Sequence, residues 1–254
     1  VSLDTNFTNI NDSSSGVSLH WLSDTLHVMQ NGHKGATDMQ AHGNANPLET
    51  GNDDLERYAL EECIKRQRID HRTSVLVTPA GHGELAIKFA RLGADVVLGD
   101  TLAVQKEIEA FILAGEWRNE MRFAEFDFAN IADDIPGEPF DIVVIRRGLC
   151  NLRYDEARKI VRRMLLKLRI GGKLFVSILG LHSELGDGYG DHDQRVEARY
   201  ASWSPAMARK YGITEPLCLY SERNLFMLLL EAGASVLRTM TSTYGNVKGI
   251  AVRV

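Results

Sequence analysis

Between Ser74 and Asp100 the chain reads SVLVTPAGHGELAIKFARLGADVVLGD: an apolar run, a Gly-His-Gly turn, an amphipathic stretch, a second apolar run and an acid. Few folds accept that order. Val75 to Val77 is apolar enough for a strand buried on both faces. Gly81 and Gly83 lack a Cβ, so the backbone there can turn sharply and let a ligand approach closely. Leu85, Phe89 and Leu92 fall on one helical face, and Gly93 supplies the stop. Val96 to Leu98 forms the next strand, and Asp100 at its end carries a carboxylate suited to two hydrogen bonds from a ribose diol. The segment is predicted to be the nucleotide-holding half of an α/β sheet.

The alternation continues beyond Asp100. Leu102 to Leu113 is predicted helical up to Gly115, Met121 to Phe126 a strand, and Phe140 to Ile145 a buried strand. Ala157, Ile160, Val161, Met164, Leu165 and Leu168 stand at offsets 0, 3, 4, 7, 8 and 11 of a helix closed by Arg169 and Gly171-Gly172, and Lys173 to Leu179 returns as a strand. Strand and helix in alternation predict a Rossmann-like, doubly wound parallel sheet with right-handed crossovers. The C-terminal section breaks that pattern. Ser221 to Glu231 is a helix stopped at Gly233, whereas Ser235 to Tyr244 and Val247 to Val254 are two strands joined only by Gly245-Asn246, hence an antiparallel hairpin. The expected fold is α/β: a seven-stranded, mostly parallel sheet ending in that hairpin.

Composition narrows the function classes. The 254 residues are 44% hydrophobic and 25% charged, ordinary for one domain with a sizeable core. A net charge of −5 offers no basic footprint for nucleic acid, and no apolar run reaches the roughly 18 residues of a membrane span. Cys63, Cys150 and Cys218 are odd in number and widely spaced, which fits a reducing compartment. No secretory signal opens the chain, so the expected location is cytoplasmic. Residues 1 to 18 are predicted to be a polar tail, 19 to 72 an N-terminal helical extension packed on the domain, and 73 to 254 the main domain with a lid insertion at about 181 to 215. Asp53 and Glu56 form a capping box opening a helix through about Gln67, whose Leu55, Tyr58, Ala59 and Cys63 share a face.

A parallel sheet finished by an antiparallel hairpin resembles the class I S-adenosylmethionine-dependent methyltransferases, over about Ser74 to Val254. The glycine turn of that family would be Pro79-Ala80-Gly81-His82-Gly83, its ribose acid Asp100, its adenine-side acid Asp127 in Glu-Phe-Asp-Phe, and its fourth strand Phe140-Asp-Ile-Val-Val144. Leu168 to Phe175 is similar to its passage from helix through Gly-Gly to the fifth strand. The family usually carries an acid near the end of the first strand and a Gly opening the turn; Val77, Thr78 and Pro79 stand there instead, as in the thiopurine methyltransferase branch, which the opening resembles. The resemblance implies S-adenosylmethionine as cofactor. Its carboxylate would face the amides of Ala80, Gly81, His82 and Gly83 and the helix start, Asp100 would hold the ribose, Thr101 and Leu102 would flank the adenine, and Asp127 would accept from the adenine amino group beside Phe128. Arg146 or Arg147 would face the cofactor carboxylate or an acidic substrate group.

Methyl transfer from a sulfonium is an in-line displacement, so alignment, exclusion of water and sometimes proton removal are what the protein contributes. Leu181 to Asp193 is polar and glycine-rich and follows the fifth strand, where ligands bind in open α/β folds; His182 and His192 are its candidate bases. His182, Asp187, Asp191, His192 and Asp193 crowd together, but their spacing matches no metal motif, and no metal is expected. Gln194 to Tyr211 reads as a helix-like, substrate-side cap. Ile145-Arg-Arg-Gly148 is not the Asn/Asp-Pro-Pro-aromatic run of amino methyltransferases acting on bases or glutamine, which favours a small-molecule acceptor; a homodimer stays open. Two other readings stand beside this one. Gly81-x-Gly83-x-x-Ala86 with Asp100 also satisfies the NAD(P) fingerprint of an oxidoreductase, and the altered turn suits a methyltransferase-like binding or regulatory protein.

Overall fold

The computed structural model describes residues 54–128, 131, 135–212 and 214–254. Its strands are β1 (Ser74–Thr78), β2 (Asp95–Asp100), β3 (Met121–Glu125), β4 (Phe140–Arg146), β5 (Leu168–Ile178), β6 (Ser235–Thr241) and β7 (Val247–Val252). Its α-helices are α1 (Asp54–Arg66), α2 (Glu84–Arg91), α3 (Gln105–Ala114), α4 (Tyr154–Lys167), α5 (Pro205–Tyr211) and α6 (Glu222–Glu231). The described residues all fall within one compact unit, Gln40–Val254. The predicted polar tail, residues 19 to 53 of the extension and Asp53 of the predicted capping box lie outside the described residues.

The strands form one seven-stranded sheet in the order β3-β2-β1-β4-β5-β7-β6. Every pair from β3 to β5 is parallel, while β7 runs antiparallel to both β5 and β6. The period of two splits the strand residues between two apolar cores. Val75, Val77, Val96, Leu98, Ile142, Val144 and Phe175 face one core with Leu55, Ala59 and Cys63 of α1 and Leu85 and Phe89 of α2. Leu76, Val97, Val143, Ile145, Leu174 and Val176 face the other with Ala157, Val161 and Met164 of α4 and Leu225 and Leu228 of α6. Both faces of β1 and β4 are therefore covered, which is why their sequences show no polar alternation. Among the described residues no helix is long and apolar enough to cross a membrane.

Three local expectations need correction. Gly171-Gly172 does not close α4: Leu168 leaves that helix directly in extended conformation (φ −79°, ψ 154°) and pairs with Phe140. The next four residues bulge out before Lys173 pairs with Ile142, with Gly171 at φ 76°. Gly172 is required because a Cβ there would lie 2.8 Å from the Arg169 carbonyl oxygen. Neighbouring chain on both sides recruits these residues, since the Gly171 amide donates to the Arg253 carbonyl at 2.8 Å and the Arg253 amide to Gly172 at 3.0 Å.

Gln194 to Tyr211 is not one helix. Only Pro205–Tyr211 is helical, capped by Ser204, whose Oγ accepts from the Met207 amide. Proline at the first helical turn disfavours helical backbone in the residue before it, so the helix begins there. Upstream, Ala201 and Leu217 exchange backbone hydrogen bonds at 3.1 and 2.9 Å, an extended pairing. The hairpin is likewise longer at its tip than Gly245-Asn246: β6 stops at Thr241, and Ser242 and Asn246 close the turn through a 2.7 Å amide-to-carbonyl bond.

The amino ends of the parallel strands hold a polar knot. Asp141, 3% exposed, accepts from the Ser74 amide at 2.9 Å and shares a 2.9 Å hydrogen bond with His71 Nε2. Arg66 and Arg169 stand 3.6 and 3.5 Å from its other oxygen. Beside it, Glu62 of α1 takes hydrogen bonds from Arg66 and from Lys173 of β5, docking the helix on the sheet.

Candidate functional site

At the opposite end of β1 the chain turns through Pro79–Gly83 into α2. Gly81 and Gly83 have φ of 56° and 75°, in the left-handed region that favours glycine. Their surroundings differ. A Cβ on Gly83 would sit 2.4 Å from Cε1 of Phe111, so α3 presses directly on this turn. Among the described residues a Cβ on Gly81 would meet nothing within 4 Å, so the turn is open at that point. Gly83 is the N-cap of α2 and provides no side-chain cap, leaving the first-turn amides for another acceptor. Ala80 is buried and His82 exposed, so the tip of the turn shows backbone and one imidazole to solvent.

Asp100 lies across the turn. Only 7% exposed, it accepts from the Ala80 amide at 3.0 Å through Oδ2 and from the Thr101 amide at 2.8 Å through Oδ1. The acid expected to hold a ribose thus also fixes the shape of the turn. Leu102 follows with more than half of its surface exposed, an apolar side chain left uncovered beside the carboxylate.

Phe128 stacks edge-on against Phe126, with centroids 5.1 Å apart. A Cβ on Gly148 would lie 2.5 Å from Cε2 of Phe128 and 3.0 Å from Cδ of Pro79. The loops after β1, β3 and β4 therefore meet, and the ring is held at the carboxyl edge of the sheet. Asp127, between the two phenylalanines, is exposed.

Arg146 ends β4 and stands 3.7 Å from Glu56 of α1. Glu56 also contacts Lys88 of α2, although its side chain is only 15% exposed. Sequence reasoning placed Glu56 only as a capping partner. The signal that it faces the sheet is its i+3 spacing to Ala59 and its i+7 spacing to Cys63 on the buried stripe.

The segment after β5 is packed rather than loose. Leu181, Leu185, Tyr189, Val196 and Trp203 are buried in the second core. Tyr211 donates to Glu184 at 2.7 Å, and hydrogen bonds from Lys210 and Tyr211 hold the Glu184 carboxyl below its ordinary pKa. His182 and His192 meet edge to face at 6.1 Å, and His192 Nδ1 lies 3.0 Å from Asp193. Those contacts bring the two candidate bases together; none of them runs to Asp100, Asp127 or the β1–α2 turn. Among the described residues no group of three or more His, Cys, Asp or Glu is arranged to hold a metal ion.

Comparison with known proteins agrees with this fold. The family model described as a methyltransferase domain matches residues 54–239. An O-methyltransferase family protein from Burkholderia thailandensis superimposes with TM-score 0.54 at 16% identity, covering 78% of this chain and 56% of that one. Human N-acetylserotonin methyltransferase in complex with SAM gives 0.51 at 17%, covering 78% and 53%, and PigF with SAH gives 0.53 at 14%, covering 79% and 56%. At such identities the likeness is one of fold, and the chain spans about half the length of these structures. No curated protein matches the sequence.

Proposed function

The chain belongs to the methyltransferase-domain family, within the class I superfamily, and from that premise we propose that it transfers a methyl group from S-adenosylmethionine to a small-molecule acceptor with an oxygen or nitrogen nucleophile. The observation that carries the reading is the turn itself: open space at Gly81, an uncapped α2 and the buried Asp100 carboxylate stand together at the carboxyl edge of β1 and β2. When bound, the cofactor supplies an electrophilic methyl on a sulfonium.

The chain supplies the rest. First-turn amides of α2 and the positive end of the helix favour a carboxylate. Asp100 would hold the ribose hydroxyls, while Thr101, Leu102 and Phe128 would border the adenine and Asp127 would accept from its amino group. Val77, where relatives carry an acid, is 2% exposed in the apolar core and offers nothing to an ammonium. Glu56, beside Arg146 and Lys88, is the carboxylate that fills this role. Arg146 then balances Glu56 and faces the acid group of cofactor or acceptor. His182 or His192 removes the acceptor's proton. A small acceptor suits a chain of net charge −5 without the Pro-Pro motif of base-modifying enzymes.

A second reading is favoured by the same Val77: a methyltransferase-like subunit that binds the cofactor without turning it over. Thermal shift with S-adenosylmethionine, S-adenosylhomocysteine and NAD⁺ tests both, since a ligand at 100 times its Kd adds about 2.7 kcal/mol. Stabilisation by the first two supports the cofactor assignment, and stabilisation by NAD⁺ alone overturns it. Release of S-adenosylhomocysteine with a panel of phenols, carboxylic acids and amines separates the enzyme from the binding subunit.

A further inference from the structure

A cavity of about 370 Å³ opens between the start of α4, the 195–199 stretch and α6, lined by Tyr154, Arg195, Glu197, Arg199, Arg223 and Glu231 among others. Among its lining residues Val196 is a core residue of the segment after β5, and none lies at the β1–α2 turn or at Asp100. Arg199 is 6% exposed, yet every acceptor it reaches is neutral: the Leu219 carbonyl at 2.8 Å, Asn224 Oδ1 at 3.1 Å and the Gln194 carbonyl at 2.7 Å. Among the described residues its Nε has no acceptor. A guanidinium withdrawn from water is normally matched by a carboxylate or another anion, and among the described residues Arg199 has none.

The cavity adds two more cations. Arg195 and Arg223 are exposed, and neither forms an ion pair among the described residues. Two acids stand against them. Glu231 already faces Arg158 at 3.4 Å and accepts from the Tyr154 hydroxyl at 3.2 Å, which leaves Glu197 as the opposing charge. The amides of α6 are not the donors, because Ser221 caps that helix. The excess of guanidinium is a local feature of a chain whose net charge is −5.

We propose that this cavity is a binding site for a phosphate group, either inorganic phosphate or the monoester of a small metabolite. Guanidinium forks match tetrahedral oxyanions with paired hydrogen bonds, and a volume of about 370 Å³ lies at the small end of ligand sites. Arg195 and Arg223 grip the oxyanion from the rim, and Arg199 gives the floor its positive potential while clamping the surrounding carbonyls. The site is independent of the methyltransferase reading.

Titration calorimetry of the full chain with inorganic phosphate and with glucose 6-phosphate, against sodium chloride at matched ionic strength, tests the proposal. Saturable binding of one phosphate per chain is expected. Arg195→Gln and Arg223→Gln each weaken it at least tenfold, and Glu197→Gln tightens it several-fold by removing the opposing charge. Binding of both ligands assigns free phosphate, and binding of the sugar phosphate alone assigns a monoester. No saturable binding of either, or affinity unmoved by all three substitutions, overturns the site. The three residues are exposed, so near-UV circular dichroism of the variants matches the parent and a lost signal is not lost folding.

Discussion

The Ala80 amide donates to Asp100 Oδ2 at 3.0 Å, joining the turn after β1 to the end of β2 across twenty positions of chain. Asp100 spends a second bond on the Thr101 amide at 2.8 Å. The residue proposed to hold a ribose therefore also shapes the turn, so on that proposal affinity and local stability are coupled at one carboxylate.

Asp100→Ala accordingly weakens S-adenosylmethionine by about 1 to 3 kcal/mol and leaves the Ala80 amide buried without its acceptor, destabilising the unliganded chain by a similar amount. Asp100→Asn keeps one acceptor oxygen and falls between. Calorimetry and urea denaturation of both variants measure the two effects separately; unchanged affinity in Asp100→Ala removes the residue from the site.

The two turn glycines respond differently. Gly83→Ala places a Cβ 2.4 Å from the Phe111 ring at φ 75°, and loses more than about 1 kcal/mol of stability. Gly81→Ala meets no atom within 4 Å, so it carries only the strain of φ 56° and its larger effect is on cofactor affinity. Equal loss of stability in the two variants contradicts the open space at Gly81.

Glu62 makes the fold acid-sensitive. Burial alone raises its pKa, but hydrogen bonds from Lys173 and Arg66 outweigh burial and hold the carboxyl below its ordinary 4.5. A folded pKa below the unfolded one stabilises fully above the unfolded value and is lost as pH falls through the folded value. Glu62→Gln costs about 1 to 3 kcal/mol at pH 7, and its gap from the parent narrows as pH drops below the carboxylate range. Denaturation midpoints across pH measure the convergence.

Burial pushes the Cys63 and Cys150 thiols up to about 12 and Cys218 to about 11. Thiolate is the reactive form, so none of the three reacts with a disulfide reagent at pH 8 in the folded chain, and all three react in guanidinium. A fast-reacting thiol under native conditions contradicts the packing of that residue.

In the segment after β5, His182→Ala and His192→Ala lower turnover while leaving cofactor affinity within about twofold of the parent. Their 6.1 Å edge-to-face contact makes the pair non-additive, so the double variant loses less than the product of the single losses. Undiminished turnover in both single variants discards them as bases.

Much of the fold was legible because β1, β2 and β4 are buried on both faces and announce themselves as apolar runs. The C-terminal hairpin was legible from Gly245, whose φ of 83° marks the turn. What escaped was set by distant partners. Gly171-Gly172 reads locally as a helix stop and becomes a bulge only because Phe140 and Arg253 flank it. The pairing of Ala201 with Leu217 overrides the helical spacing after Gln194 in the same way. Asp100 ends β2 and Gly81 and Gly83 lie in the turn after β1, as the order of apolar runs and glycines predicts, whereas the Glu56, Arg146 and Lys88 cluster joins three elements that no local pattern connects.

Helix α1 engages the sheet at both of its ends. Glu56 reaches Arg146 at the carboxyl end of β4, and Glu62 reaches Lys173 of β5 beside the Asp141 knot. Thirteen residues upstream of the first strand thus span the full depth of the sheet. A deletion series beginning at Thr73 would keep every strand and the glycine turn, yet would strip Leu55, Ala59 and Cys63 from one core and leave Arg146 and Lys173 without these carboxylate partners. The smallest piece able to fold and hold a ligand therefore starts no later than Asp54, well before the first strand.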